Sequence, residues 1–408
     1  MRAKPQPQDR PQAGQNSMDF IPYGRQEISD QDIRAVVDVL RSSHLTQGEA
    51  VPAFESSMAR RVGSSFAVAT NSATSALHVA CLGLGLGPGD ILWTSPISFV
   101  ASANCGLYCG ATVDFVDVDP ATGRMCSSAL QKKLEESEAR GTLPKIVIPV
   151  HLGGNSCDMK TIKRLGDRYG FKIIEDASHA VGATYEERPV GGCQYSDAVV
   201  FSFHPVKIIT SGEGGMVTTN DHDLASALQM LRSHGITRDS AKLLERSAGA
   251  WYYEQHLLGL NYRLSDIHAA LGNSQLGRLD QFLDRRRRLV QEYHARLQDL
   301  RAGLPDQGEL MTSAWHLYAI RINKDGPSTR REIYDALSAK NIGVNVHYIP
   351  IYRQPFFERL GASAAKFPGA ESYYNSALTL PLHTGLSAPQ IDRVCEELAA
   401  QLGRKHNE

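Results

Sequence analysis

No run of this sequence is apolar over the roughly 20 residues that a bilayer-spanning helix needs, so no membrane span is predicted. Neither sign of charge dominates: Lys plus Arg number 43 and Asp plus Glu 44. Nucleic-acid-binding surfaces carry a basic excess, so none is expected here. The seven cysteines, Cys81, Cys105, Cys109, Cys126, Cys157, Cys193 and Cys395, contain no CxxC pair and are odd in number. That argues against a disulfide framework and for reduced, buried thiols in a cytoplasmic protein. The first seventeen residues, "MRAKPQPQDRPQAGQNS", have no apolar stretch of the kind a secretory leader carries. They are expected to be a disordered extension, with Met18 as an alternative start. Tandem repeats are absent.

What is present is enough chain for a large core and two domains, 408 residues, with an ordinary hydrophobic content of 42%. "SDQDIRAVVDVLRSS" (29–43) predicts an amphipathic helix capped by Ser29, with Ile33, Val36, Val37 and Leu40 on its apolar face. Short apolar runs at 66–70, 90–95, 112–118, 145–150, 172–177, 197–203 and 215–219 read as strands. Helical patterns separate several of them, at 72–84, 127–139 and 158–170. Such alternation implies an α/β fold with a mainly parallel sheet covered on both faces. Residues 222–300 read as mostly helical, ending in a long charged helix whose Arg285 to Arg288 run is expected to be solvated or intersubunit. Strands over 315–322 and 343–349 and helices over 328–340 and 387–402 form a smaller C-terminal α+β unit. The expected division is 1–17, 18–300 and 301–408.

Two groups stand at strand ends, where open parallel sheets gather ligands. Asp176 closes "KIIEDA", and Lys207 follows "DAVVFSF" after a four-residue turn. Taken singly, each is an ordinary ion pair or a solvated turn. Together they match what pyridoxal phosphate requires: a lysine amine for a Schiff base and a carboxylate for the pyridine nitrogen. "TNSATSALHVA" (70–80) adds a polar turn before a helix, an N-cap that also suits a phosphate. The glycines of "SGEGG" (211–215) would let the backbone turn closely beside the site. No metal ligand set is found.

"SATSALH", "EDASHA", "FSFHPVK…GEGG" and "NYRLSDIHAALG", in this order, resemble the DegT/DnrJ/EryC1/StrS sugar aminotransferases, fold type I enzymes dependent on pyridoxal 5′-phosphate. The resemblance runs from about Ile21 to the C-terminus. It implies that Lys207 holds the cofactor and shuttles a proton, and that Asp176 pairs with the pyridinium. Ala73, Thr74 and Ser202 are the implied phosphate ligands. Asn261 is implied to reach the phosphate from a second subunit, making a homodimer with a shared site. Phe99 matches the residue that stacks on the ring; by itself it reads equally as core. His179 stands where many relatives have glutamine, implying a hydrogen bond to the cofactor's 3-oxygen. A dehydratase branch carries histidine in place of the lysine, so Lys207 implies transamination.

"IPYGRQEIS", "SPISFVASAN" and "VNVHYIPIYRQPFF" most resemble the members that aminate C4 of a UDP-4-keto-6-deoxy-N-acetylhexosamine in pseudaminic acid biosynthesis. L-glutamate is then the donor, in a ping-pong reaction. Tyr23, Arg25, His347 and Tyr348 are the implied substrate contacts, each also readable as packing or a surface ion pair. Arg263 could position Asn261 or contact the donor carboxylate. Two rivals stand beside this reading: an aminotransferase for a D-configured nucleotide 4-keto-sugar, and a regulatory protein that holds the cofactor without turnover.

Overall fold

The computed structural model describes residues 19–245, 249–324 and 326–403; the N-terminal extension and Met18 lie outside the described residues. Helix α1 (Asp30–Leu40) starts at a reciprocal cap, in which Ser29 accepts from the Asp32 N–H and Asp32 accepts from the Ser29 N–H. Then follow α2 (Ala50–Val62), β1 (Phe66–Thr70), α3 (Ala73–Gly83), β2 (Ile91–Thr94), α4 (Ala101–Tyr108), β3 (Thr112–Phe115) and α5 (Ser127–Glu138). The series continues with β4 (Ile146–Ile148), α6 (Met159–Tyr169), β5 (Lys172–Asp176), β6 (Ala198–Ser202) and β7 (Gly215–Thr219). All seven strands fall within the apolar runs that predict them.

They form one sheet in the order β1-β7-β6-β5-β4-β2-β3. Pairing is parallel from β6 through β3, while β7 is antiparallel to both its neighbours. Parallel neighbours need crossover helices, which here cover both faces. On one face Ile174 and Val200 pack with Leu77 of α3 and Cys105 of α4. On the other, Ile173 packs with Ile162 and Leu165 of α6, and Phe201 with Phe54 of α2. Because successive strand side chains alternate, Asp176 and Ser202 share the face of Ile174 and Val200 and point toward α3 and α4.

Three helices lead out of the sheet: α7 (His222–Leu231), α8 (Asp266–Leu276) and α9 (Leu279–Leu297). Beyond them β8 (Ala302–Gly303), β9 (Tyr318–Ile322) and β10 (Ala377–Leu380) make a small antiparallel sheet in that order. It is flanked by α10 (Arg330–Ala339) and α11 (Ala388–Leu402). The core beneath it joins Ile320 and Leu378 to Tyr293 and Leu297 of α9, Leu398 of α11, and Ile21 from the start of the described chain.

Four expectations need correction. The predicted strand at 343–349 is not one: only Asn345 pairs, with Thr379. The Asn345 side chain takes the Val346 N–H at 2.8 Å, which competes with a continuing ladder. The described residues between α7 and α8 contain no helix; Leu244, Trp251 and Leu258 are exposed there, so no buried stripe supports one. The Arg285 to Arg288 run is not simply solvated. Arg286 is buried, and its Nη1 donates to the carbonyls of Trp315, His316 and Leu382. It ties α9 to the segment before β9 and to the one after β10 rather than facing water.

The fourth correction concerns α1. Ile33 and Leu40 are 53% and 54% exposed, whereas Asp32 is fully buried. The helix is fixed through that carboxylate, which accepts from Ser274 Oγ at 2.6 Å, Gln275 Nε2 at 2.8 Å and Arg278 Nη2 at 2.5 Å. Of its predicted apolar face, Ile33 and Leu40 look away from the chain's own core, while Val36 and Val37 are half-buried. Removing the carboxylate takes a buried acceptor from Ser274, Gln275 and the half-buried Arg278, of which Gln275 and Arg278 keep their contacts to Glu27. Asp32→Ala should therefore cost about 3 kcal/mol of stability, whereas Ile33→Ala should cost the isolated chain well under about 1 kcal/mol. Denaturant melts of both variants check this.

Candidate active site

A cavity of about 330 Å³ opens above the carboxyl ends of β5 and β6. Helix α3 begins at one side of it, with Ser72 as N-cap accepting from the Ser75 N–H at 3.1 Å. The N–H groups of Ala73 and Thr74 in that first turn have no intrahelical acceptor. Ser202, at the end of β6, lines the same side. Gly215, on β7, lets the sheet approach this helix start. A Cβ there would lie 2.5 Å from the Ala73 nitrogen and closer still to the Ser72 oxygen, so only glycine fits. Gly212, at φ +81°, turns the chain before it. Backbone N–H groups, a hydroxyl and the positive end of a helix dipole together make an anion cradle.

Asp176 sits at the base of the cavity, 5% exposed. Its Oδ2 accepts from Ser102 Oγ at 2.6 Å and its Oδ1 from the Ser178 N–H at 3.1 Å. Ser98 and Ser102, one turn apart, are joined at 2.8 Å. The carboxylate is thus held in one orientation by neutral donors. Lys207 lines the same cavity from the turn after β6, where its N–H closes onto the His204 carbonyl. Burial pulls its amine down to about 8, and the Asp176 charge opposes that shift. An amine lowered to about 8 is still mostly protonated near pH 7, but it has a far larger neutral fraction than an ordinary lysine, and that fraction is a nucleophile for carbonyl compounds.

The opposite wall carries Tyr23, Asn345, His347 and Tyr348, and Phe99 lies at the mouth, 61% exposed. His347 is pushed down to about 3 by burial and the nearby Lys207 charge, and its Nδ1 meets Thr379 Oγ1 at 2.9 Å. His179 is held well below its usual range by burial, then by Lys207 and His347. Its Nδ1 accepts the Gly153 N–H at 3.3 Å, so the neutral ring carries its proton on Nε2. Nε2 lies 3.1 Å from Tyr348 Oη, which accepts that proton and leaves the phenol proton free to point elsewhere. The His316 ring packs against His179 at 4.4 Å between centroids.

The structure thus brings ten of the predicted residues around one cavity: Tyr23, Ala73, Thr74, Phe99, Asp176, His179, Ser202, Lys207, His347 and Tyr348. Arg25 and Asn261 do not line it; both are exposed. Arg25 lies close enough to His383 for its charge to act there. Asn261 bridges to Ser233, and the carbonyl of the next residue, Tyr262, accepts the Asn71 N–H at 2.9 Å just ahead of α3. Sequence reasoning missed Ser102, Asn345, His204 and Glu213, the last three of which line the cavity. No helix-face pattern marks Ser102, because its partner Ser98 precedes α4.

The burial of Lys207 has a consequence for stability. Between about pH 8 and its ordinary 10.5, the unfolded chain holds a proton on this lysine that the folded chain does not. Stability therefore rises with pH across that window, and the penalty is largest below it. In the cofactor-free protein, Lys207→Met should raise the melting temperature at pH 7. The gain should shrink as pH climbs from about 8 toward 10.5, and thermal melts across that range check it.

Comparison with known proteins agrees with this geometry. Residues 26–399 match the DegT/DnrJ/EryC1/StrS aminotransferase family. The chain is 39% identical to the spore coat polysaccharide biosynthesis protein SpsC of Bacillus subtilis over 92% of its length and 96% of that protein. It is 35% identical to a UDP-4-amino-4,6-dideoxy-N-acetyl-beta-L-altrosamine transaminase of Campylobacter jejuni, over 89% of its length and 93% of that protein. Among solved structures it resembles Helicobacter pylori PseC, an aminotransferase involved in the biosynthesis of pseudoaminic acid, with a TM-score of 0.86 and 29% identity over 94% of this chain and 99% of that one. A putative sugar aminotransferase of Streptococcus pneumoniae, Spr1654, is solved in PLP and PMP forms. Its PLP form matches with a TM-score of 0.83 and 28% identity over 93% of this chain and 98% of that one. The helix-start cradle, the buried carboxylate and an amine without a hydrogen-bond partner among the described residues fit pyridoxal phosphate, the cofactor of these enzymes. The chain belongs to the DegT/DnrJ/EryC1/StrS aminotransferase family, with the fold type I architecture of pyridoxal-phosphate enzymes.

Proposed function

We propose that this sugar aminotransferase moves the amino group of L-glutamate to C4 of a UDP-4-keto-6-deoxy-N-acetylhexosamine. The acceptor in this reading is UDP-2-acetamido-2,6-dideoxy-β-L-arabino-hex-4-ulose, as in pseudaminic acid biosynthesis. The observation that carries transamination is the Lys207 amine, buried and lowered in pKa, in one cavity with Asp176. The sugar assignment is supported by the likeness to the Campylobacter transaminase and to PseC.

Pyridoxal phosphate, when bound, supplies the electron sink that lets an amino group and a proton change places. In this reading Asp176, fixed by Ser102 and Ser178, keeps the pyridine nitrogen protonated. Ala73, Thr74 and Ser202 hold the phosphate, and Phe99 covers the ring face. Lys207 anchors the cofactor and, once displaced, carries the proton at the reacting carbon. Tyr23, His347 and Tyr348 face the sugar, with Arg25 further out toward the nucleotide. His179 acts next to the cofactor's 3-oxygen together with Tyr348. A second copy of the chain covers the exposed face of α1 and brings its Asn261 to the phosphate.

A second reading has its own support. Identity to SpsC, 39%, exceeds that to the altrosamine transaminase, 35%. That likeness supports an acceptor other than the altrosamine precursor, and the rival acceptor proposed here is a nucleotide 4-keto-sugar of D configuration.

The two are separated by loading the protein with cofactor, converting it with L-glutamate, removing the donor and adding one UDP-4-keto-6-deoxy-HexNAc epimer at a time. Return of the visible band with the L-arabino epimer alone supports the first reading. Return with the D-xylo epimer alone supports the second. Lys207→Ala should still bind cofactor weakly but show no turnover; near-normal activity in that variant would overturn the transamination reading. Ser102→Ala removes a hydrogen bond to a buried carboxylate and should weaken cofactor binding about tenfold or more, read by equilibrium dialysis.

A further inference from the structure

We infer that the seam between the large and small units holds a second binding site, one for a small monocarboxylate. Strand β9 alternates: Tyr318, Ile320 and Ile322 enter the core, while Ala319 and Arg321 face a cavity of about 270 Å³. The far wall is made by Thr122 and Arg124, after β3, and by Leu152 to Asn155, after β4. None of the cavity's lining residues belongs to the active-site cavity.

The donors facing this space are unevenly satisfied. Arg124 is engaged: its Nη1 donates to the Ser156 carbonyl at 2.8 Å and its Nη2 to Glu309 Oε1 at 2.6 Å. Arg321 is half-buried, and no carboxylate or carbonyl among the described residues pairs with its guanidinium. The group is nevertheless placed, because it lies flat against Gly303. A Cβ on that glycine would sit 3.0 Å from Nη2 and 3.2 Å from Cζ. Tyr373 is 4% exposed, yet its hydroxyl meets no partner among the described residues and opens on the same cavity. The charges of Arg321 and Arg124 both act on that phenol. The Asn155 side chain lines the cavity beside them.

A half-buried guanidinium with no carboxylate in hydrogen-bond range among the described residues gains from an anion placed across from it. A planar fork, a phenol and an amide are donors of the kind that recognise a carboxylate. Charge balance narrows the ligand. Asp306 and Glu309 line the cavity together with Arg124 and Arg321, so its ionised groups sum to zero. A dianion would bring two negative charges toward Asp306 and Glu309, whereas a monocarboxylate brings one and matches the single charge of Arg321, the lining cation without a carboxylate partner among the described residues. The site also adjoins the active cavity through a single peptide, since Gly153 lines it and donates its N–H to His179.

The test reads binding rather than turnover, so its outcome is independent of the proposed reaction. Saturation-transfer NMR on the cofactor-loaded protein uses propionate as the probe. Propionate should bind the wild type and the surface control Arg60→Gln alike. Binding should weaken about tenfold or more in Arg321→Gln, the loss expected for a charged hydrogen-bonded pair. Tyr373→Phe should weaken it less, and serves as the test variant should Arg321→Gln fail to fold. No signal in the wild type overturns the site, as does equal binding in wild type, Arg321→Gln and Tyr373→Phe. Inorganic phosphate displacing propionate at lower concentration than a second monocarboxylate overturns the charge argument.

Discussion

The active site depends on one opposition, a buried lysine facing a buried carboxylate that is not its hydrogen-bond partner. Burial works against the Lys207 cation and Asp176 works for it, leaving the amine at about 8. Closer contact would raise the amine's pKa and shrink its neutral, reactive fraction; a greater separation would leave Asp176 with no control over it. The separation is set by the sheet. Asp176 ends β5 and Lys207 follows β6, its parallel neighbour, so the ladder that joins Ile174 to Ala198 also spaces the two groups. Ser102 and the Ser178 N–H occupy the carboxylate's oxygens, so that it need not recruit the lysine as a donor.

Around this pair the wall is built of imidazoles that burial keeps neutral. His179, His316 and His347 are all buried and all held below their ordinary range, with the Lys207 charge adding to the effect of burial in each. A neutral imidazole has one donor and one acceptor, so its direction can be fixed by a neighbour. For His179 the Gly153 peptide does this, and the direction passes on to Tyr348. The result is a polar wall without a competing charge, in which the amine and the carboxylate are the groups that set the local field.

Much of this site is legible in the amino-acid sequence alone. The strand runs, the capped helices and the residues at strand ends are local signals, and they place Asp176, Lys207 and the start of α3 together. What is not legible depends on contacts distant in the chain. Asp32 reads as a polar position on an amphipathic helix, and nothing nearby says that Ser274 and Arg278 will bury it. Arg286 sits in a run of four arginines that looks like a solvated face, yet it meets carbonyls some thirty and a hundred residues onward. The 343–349 segment has strand composition, but it fails as a strand because Asn345 bonds its own neighbour. In each case a tertiary hydrogen bond or a local side-chain bond overrides the pattern.

The proposed dimer follows from what one chain leaves undone. Phe99 covers the cavity mouth but is more than half exposed, which is unusual for an aromatic residue expected to stack on a cofactor. Asn261 is exposed and stands outside its own chain's cavity, although the backbone beside it braces the turn that starts α3. Helix α1 turns Ile33 and Leu40 outward, and Phe20, Ile28 and Leu45 nearby in sequence are exposed too. An outward apolar stripe and an unfinished site have a common remedy in a second copy. Its surface would shield the stripe, and its Asn261 would complete the phosphate cradle proposed at the start of α3 and Ser202.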